Sequence, residues 1–213
     1  MNKNNIKSID IQYIGDVYYY LNLLKSEYII FNHSLLHFKG LNLNRTTIMG
    51  ANKLLVLSVP LDGGRSVKAR LKDLKIAGRQ AWQRIHWRSI HDSYRKAPWF
   101  EEYAPELEIL YKQEYTYLWD LNLKLTSWVF KALQWDTVIL AESEIENSQK
   151  IEKVNNFNFL KMGQGYPIYH QVFSDKLGFQ PNLSILDLLM NEGPLASDYL
   201  QKLAAYHLNN TGE

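Results

Sequence analysis

Residues 79–98 read RQAWQRIHWRSIHDSYRKAP, and the fold turns on how this stretch is phased. Trp82, Ile85, Ile90, Tyr94 and Ala97 recur at spacings of three to five, which predicts a helix with one apolar stripe. His86 lies on that stripe, four residues from both Trp82 and Ile90. Pro98 stops the helix. The other side carries Arg84, Arg88, His91 and Arg95 at spacings of four, three and four, one basic stripe on a helix. The stretch is therefore both the best core candidate and the best site candidate.

Toward the N-terminus, residues 8–14 (SIDIQYI) read as a strand, and residues 16–26 as a helix that Asp16 is placed to cap. EYIIFN at 27–32 is a second strand, and the three segments are compatible with a parallel crossover. Two β-rich runs, 45–49 and 53–59, meet around Gly50-Ala51-Asn52 as a hairpin. Residues 67–76 alternate apolar and basic side chains and read as a strand with one basic face, with a helix as the rival.

Toward the C-terminus, Pro105 is suited to the first position of a short helix. A longer helix carries Leu118, Leu121, Leu125, Trp128 and Ala132 on one face, and Asp120, Lys124, Ser127 and Lys131 on the other. DTVILA (136–141) restores a strand, and the polar run behind it reads as a connector. Ser184 and Asp187 have capping-box spacing, Leu183 and Leu188 can form the hydrophobic staple, and Gly193-Pro194 closes one helix and opens the next. The fold expected is α+β: a small mixed β-sheet in the N-terminal half packed by central helices, with a helical C-terminal segment. One domain over 1–213 is expected, with sheet and central helices in 1–144, a connector at 145–157 and the helical segment at 158–208.

Composition removes whole classes of chemistry. The chain has no cysteine, so thiolate catalysis, cysteine-ligated zinc and disulfides are excluded. The N-terminal residues lack the apolar run of a signal peptide, and no window approaches the apolar length of a membrane span, so a cytoplasmic location is expected. A net charge of +2 from 24 basic and 22 acidic residues argues against nucleic acid as the main partner. The rival case for RNA rests on Lys68, Arg70 and Lys72 with the arginine stripe. No HExxH or carboxylate–histidine spacing appears, so neither metal nor cofactor is expected.

The candidate site residues each have two readings. The stripe Arg84, Arg88 and Arg95 can hold phosphates through guanidinium forks, or it is a solvated face paired with nearby glutamates. His86 and His91 are general-base candidates; the position of His86 on the apolar stripe favours a satisfied core histidine, and His91, beside the arginines, is the better functional candidate. Asn122, at the border of an apolar face, needs its hydrogen bonds made by substrate or by structure. Lys39, Asn44 and Arg45 flank the first β segments and can add polar groups to a cleft. Phe157, Phe159, Tyr166, Tyr169 and Phe173 form either a sugar platform or, the better reading, core packing.

The series LSVPL (57–61), LKDLKI (71–76), RQAWQRIHWRSIHDSYRKAPWFEEYAPELEILY (79–111), LWDLNLKL (118–125) and FQPNLSILDLLMNEGP (179–194) resembles the WbqC-like family, especially its Bacteroidetes branch. Gly15-Asp16 departs from the prolines usual there, and Asn44-Arg45-Thr46 matches an Asn-Arg-Asn element only in part. The resemblance implies a role in O-antigen and surface-polysaccharide biosynthesis, with glycine transfer onto a sugar intermediate. It implies a sugar nucleotide or lipid-linked sugar as partner, handled in the cytoplasm or at the inner face of the membrane. His91 or His86 would then serve as base, with Arg88, Asn122 or Arg45 contacting the anion or carbonyl. A non-catalytic binding or scaffold protein of the same pathway is the competing expectation.

Overall fold

A computed structural model describes residues 6–32, 42–63, 69–78, 81–144, 151–154 and 165–210. The architecture is α+β, as expected. β1 (Ile6–Ile9), β2 (Tyr28–Phe31), β5 (Val138–Leu140) and β6 (Ile151–Lys153) form a parallel sheet in the order β5-β2-β1-β6. β3 (Arg45–Met49) and β4 (Leu54–Ser58) form a separate antiparallel hairpin, with Arg45 opposite Ser58 and Met49 opposite Leu54. The helices are α1 (Val17–Leu23), α2 (Trp82–Tyr94), α3 (Phe100–Lys112), α4 (Leu118–Ala132), α5 (Ser174–Leu177), α6 (Ile185–Glu192) and α7 (Ala196–Asn210).

The crossover from β1 to β2 is made by α1. Its N-cap is Asp16, whose carboxylate accepts from the Tyr19 amide at 2.8 Å. Every residue of α1 is buried, so it is a core helix rather than an amphipathic one. On α4 the expected apolar face is buried and Asp120, Lys124, Ser127 and Lys131 are exposed. The core joins Tyr13, Tyr19, Tyr20 and Ile29 with Leu107, Leu121, Leu125, Leu188, Leu189 and Leu203, so sheet, central helices and C-terminal helices share one apolar interior.

Several local expectations are corrected. The part of 67–76 that is described holds a 3-10 turn, Leu71–Asp73, and not a strand. Leu71 and Leu74 are buried three residues apart, which a turn satisfies and period-two alternation does not. Pro105 does not start a helix but lies inside α3, which begins at Phe100. Within the expected connector, Ile151–Lys153 pairs with β1 as an exposed edge strand. Ile85, placed on the buried stripe of α2 by its spacing, is 59% exposed, and Ser93 is buried in the same helix.

The C-terminal helices are punctuated as expected: Gly193 caps α6 and a Gly193–Leu195 turn leads into α7. Leu183 and Leu188 are buried. The capping box is only half formed. Ser184 accepts from the Leu186 amide at 3.4 Å, but the Asp187 side chain turns into the interior. There its Oδ2 accepts from the Tyr169 hydroxyl at 2.8 Å and the Gln171 amide at 2.7 Å. Burial pushes the Asp187 carboxyl up to about 6, against the pull of those bonds. Tyr94 lies close to the same carboxylate without a well-aligned bond, and among the described residues Asp187 Oδ1 has no hydrogen-bond partner.

Candidate functional site

The site is built where α2 crosses the hairpin. Lys53, the whole of β4 (Leu54–Ser58) and Trp82, Ile85, His86 and Ser89 of α2 line an open cleft of about 460 Å³. Along β4 the side chains alternate, Leu57 buried and Leu54 and Val56 40% and 63% exposed, so this cleft presents apolar surface to solvent.

His86 is buried in the cleft wall at 4% exposure. Its Nδ1 is 2.8 Å from the Tyr13 hydroxyl, which is 2.5 Å from the Tyr111 hydroxyl. Trp82 and Tyr111 stand edge-on to the imidazole at 5.2 and 6.4 Å between ring centres. Burial holds the imidazole at about 4, well below its usual range, and the Ser58 backbone as a hydrogen-bonding neighbour offsets only part of this. His86 is thus neutral at pH 7. Burial raises both tyrosines well above the usual phenol range, so they remain protonated hydroxyls.

A phenol hydroxyl donates and accepts, so Tyr13 is compatible with either imidazole tautomer. With the proton on Nδ1, His86 donates to Tyr13, and the Nε2 lone pair faces the Ser58 carbonyl, itself an acceptor, which disfavours this tautomer. With the proton on Nε2, the ring donates to a carbonyl and Nδ1 accepts from Tyr13. The tyrosine therefore orients the ring in both cases, as a second group orients the base in catalytic dyads and triads.

The remaining sequence candidates are distributed as follows. Arg45 is exposed at the start of β3, directly across the hairpin from Ser58, so it shares a face with a cleft residue that neighbours His86. His91 is half exposed, on a different side of α2 from His86, with Nδ1 3.4 Å from the adjacent Asp92 carboxylate and the ring edge-on to Phe100. Arg84, Arg88 and Arg95 are exposed, and Arg88 reaches Asp92 at 3.7 Å. Asn122 is 1% exposed and donates to the Leu43 carbonyl at 2.8 Å, while its Oδ1 has no hydrogen-bond partner among the described residues. His86 and Arg45 are brought to one hairpin; His91 and the arginine stripe face solvent, and Asn122 lies in the core. Tyr166 and Tyr169 pack against Phe179 and Tyr199. Lys39, Lys68, Phe157 and Phe159 lie outside the described residues.

Tyr13, Tyr111 and Ser58 are missed by pattern reading. Tyr13 and Tyr111 are 73 and 25 positions from His86, and no local motif spans such separations. The one available signal is that a tyrosine in an apolar run needs a partner for its hydroxyl. Among the described residues no three His, Asp or Glu side chains are placed to hold a metal ion, and no helix is long and apolar enough to cross a membrane.

An α+β domain with a histidine–tyrosine pair beneath a hairpin cleft defines the architecture. The chain belongs to the WbqC-like protein family, whose model matches residues 12–162 and 152–199. It is 27% identical over 190 residues to an uncharacterized protein of Mycobacterium tuberculosis, covering 74% of this chain and 80% of the relative. No solved structure matches the chain significantly.

Proposed function

We propose that the protein is a transferase of surface-polysaccharide (O-antigen) biosynthesis that moves a glycyl or similar aminoacyl group onto a sugar intermediate, carried as a sugar nucleotide or a lipid-linked sugar, in the cytoplasm or at the inner face of the membrane. The family resemblance supplies the pathway. The observation that carries the chemistry is His86: a neutral imidazole, oriented by Tyr13, in the wall of a cleft whose Ser58 pairs with Arg45 across the hairpin.

In this reading the sugar hydroxyl or amine attacks the carbonyl of an activated glycyl ester or thioester. His86 takes the proton from the nucleophile as the new C–O or C–N bond forms. The tetrahedral oxyanion is stabilised by the Arg45 guanidinium. Collapse breaks the bond to the donor's alkoxide or thiolate, and His86 returns the proton to that leaving group. The low pKa of His86 keeps it in the accepting form at neutral pH, and equally limits its strength as a base.

The test is incubation of the protein with sugar nucleotides and glycyl thioester or ester donors, followed by product mass measurement. A glycyl increment that vanishes in His86→Asn and Arg45→Ala supports the reading; an increment that survives both overturns the site assignment. A second reading, a non-catalytic binding or scaffold protein, is favoured by the exposed Arg84, Arg88 and Arg95. It predicts no increment with any donor, together with salt-sensitive binding to anionic vesicles that the triple alanine variant loses.

A further inference from the structure

The two edges of the hairpin are finished differently. The Gly50 amide donates to the Lys53 carbonyl at 3.0 Å, and the Val59 amide to the Asn44 carbonyl at 2.8 Å. With Met49 opposite Leu54 and Arg45 opposite Ser58, these two bonds phase the ladder. Leu55 and Leu57 exchange bonds with β3, and the N–H and C=O groups of Leu54, Val56 and Ser58 point away from it. On β3 the outward groups belong to Arg45, Thr47 and Met49 by the same phase. That edge is covered at its centre, where the Ser184 amide donates to the Thr47 carbonyl at 2.8 Å.

The β4 edge is open. Its Ser58 carbonyl is met by His86, but no hydrogen bond among the described residues reaches the outward groups of Leu54 or Val56. The cleft runs along this edge rather than over one face: Leu54, Leu55, Val56, Leu57 and Ser58 line it in unbroken succession, where a face would contribute alternate residues. Natural sheet edges are usually blunted by charge, proline or cover, because their free backbone groups template another strand. Here Lys53 and Pro60 stand beyond the two ends of the run, and its middle is apolar. Leu54, Val56 and, across the cleft, Ile85 are exposed.

A row of main-chain donors and acceptors is matched by the main chain of one added strand. What that strand belongs to follows from the walls. A second copy pairing β4 with β4 about a two-fold axis would bring its own β3 in behind, where α2 forms the far wall. It would also require the Ser58 carbonyl to accept from Leu54 of the other copy as well as from His86. A single extended segment avoids both conflicts. The cleft lining holds one charged side chain, Lys53, and no acid, so the complementary segment is negative at that end. Antiparallel pairing, the stronger of the two directions, places the segment's C-terminus there.

We propose that the β4 edge binds an extended peptide as an added antiparallel strand, bonded through its main chain to Leu54 and Val56. Its alternate apolar side chains lie against Leu54, Val56 and Ile85, and its C-terminal end carries a carboxylate against Lys53. The peptide shares the cleft with His86 and leaves the contact of His86 with Ser58 in place, so the proposal stands without the transfer reading.

NMR titration of the isotope-labelled full chain tests it, with the N-acetylated pentapeptide Val-Thr-Val-Thr-Glu as probe. Saturable shifts of the Leu54, Val56 and Ser58 amides are expected. Two versions of the peptide, N-methylated at alternate amides in opposite phase, separate its edges: the one methylated toward β4 loses at least about fivefold in affinity, and the other retains it. A version ending in lysine amide binds at least about threefold more weakly, and Lys53→Glu reverses that preference. Val56→Pro removes an outward N–H without touching the ladder to β3 and weakens binding at least about fivefold. The proposal is overturned by an absence of shifts, by equal affinity of the two methylated versions, by equal affinity of the acid and lysine peptides, or by undiminished binding to a folded Val56→Pro. Concentration-dependent shifts of the same amides in the protein alone assign the edge to a second copy and overturn it as well. Should Val56→Pro fail to fold, the two methylated peptides decide the same question. Peptide binding without glycyl transfer removes the transfer reading alone, and transfer without peptide binding removes this proposal alone.

Discussion

The Tyr13 hydroxyl lies 2.8 Å from Nδ1 of His86, across 73 residues of sequence, and this contact joins the segment after β1 to the middle of α2. It also completes a buried chain of hydroxyls with Tyr111. Tyr13→Phe keeps the ring and removes the link, leaving a ring nitrogen and a phenol without their partner. The expected loss is about 1–3 kcal/mol in urea denaturation. A transferase reading adds that kcat falls more than KM rises, because the imidazole is no longer oriented.

His86 supplies a pH dependence with a defined sign. Its folded-state pKa is lowered from the usual 6.5 to about 4, so the fold favours the neutral ring. The stability this brings is complete above pH 6.5 and is lost as pH falls toward 4, by up to about 3 kcal/mol. Imidazole NMR titration should find the His86 resonances still those of the neutral ring at pH 5.5. If activity is measured and its acid limb falls near pH 6.5, a different base is at work.

Asp187 acts in the opposite sense. Its folded-state pKa is raised from 3.8 to about 6, so the fold favours the protonated carboxyl and the ionised form is a burden above pH 6. That burden, about 3 kcal/mol at most, is relieved as pH falls through 6 toward 3.8. Asp187→Asn preserves an acceptor for Tyr169 and Gln171 and removes the charge. We expect it to raise stability by about 1–3 kcal/mol at pH 8, with no gain at pH 4, as read from urea midpoints at the two pH values.

Gly193 adopts φ 55°, and a Cβ there would come within 2.2 Å of the Trp99 ring. Both the left-handed backbone and the contact exclude a side chain. Gly193→Ala should lower stability by at least about 2 kcal/mol, seen as a drop in melting temperature, because α6 and α3 must separate to admit the methyl group.

Arg88 is 84% exposed, and its Nε lies 3.7 Å from the Asp92 carboxylate. Arg88→Ala should change stability by less than about 0.5 kcal/mol. Any larger effect on binding to anionic vesicles would then report a surface role of the stripe rather than a folding defect.

What the sequence determined by itself is local. The period of three to four in residues 82–94 fixes α2, Asp16 and Ser184 mark helix starts through their side-chain oxygens, and Gly50-Ala51-Asn52 turns the hairpin. These signals work because each depends on neighbours within a few residues, and the alternation that separates Leu57 from Val56 is equally local. The absence of cysteine is likewise final. Pattern reading also separates His86 on the apolar stripe from His91 on the basic one, as their burial agrees.

Tertiary structure decided the rest. Ile151–Lys153 is too short and polar to announce itself as a strand, and becomes one because the edge of β1 offers it unpaired backbone groups. Ile85 has the spacing of a core residue, yet the hairpin stops short of covering it and leaves an open cleft. Asp187 has the spacing of a capping residue, but the folded 165–180 segment offers it Tyr169 and Gln171 instead. The partners of His86 come from positions 13, 58 and 111, which no periodicity connects. Patterning sets which face of an element is buried; what it is buried against, and which polar group it meets there, follows only when the whole chain has packed.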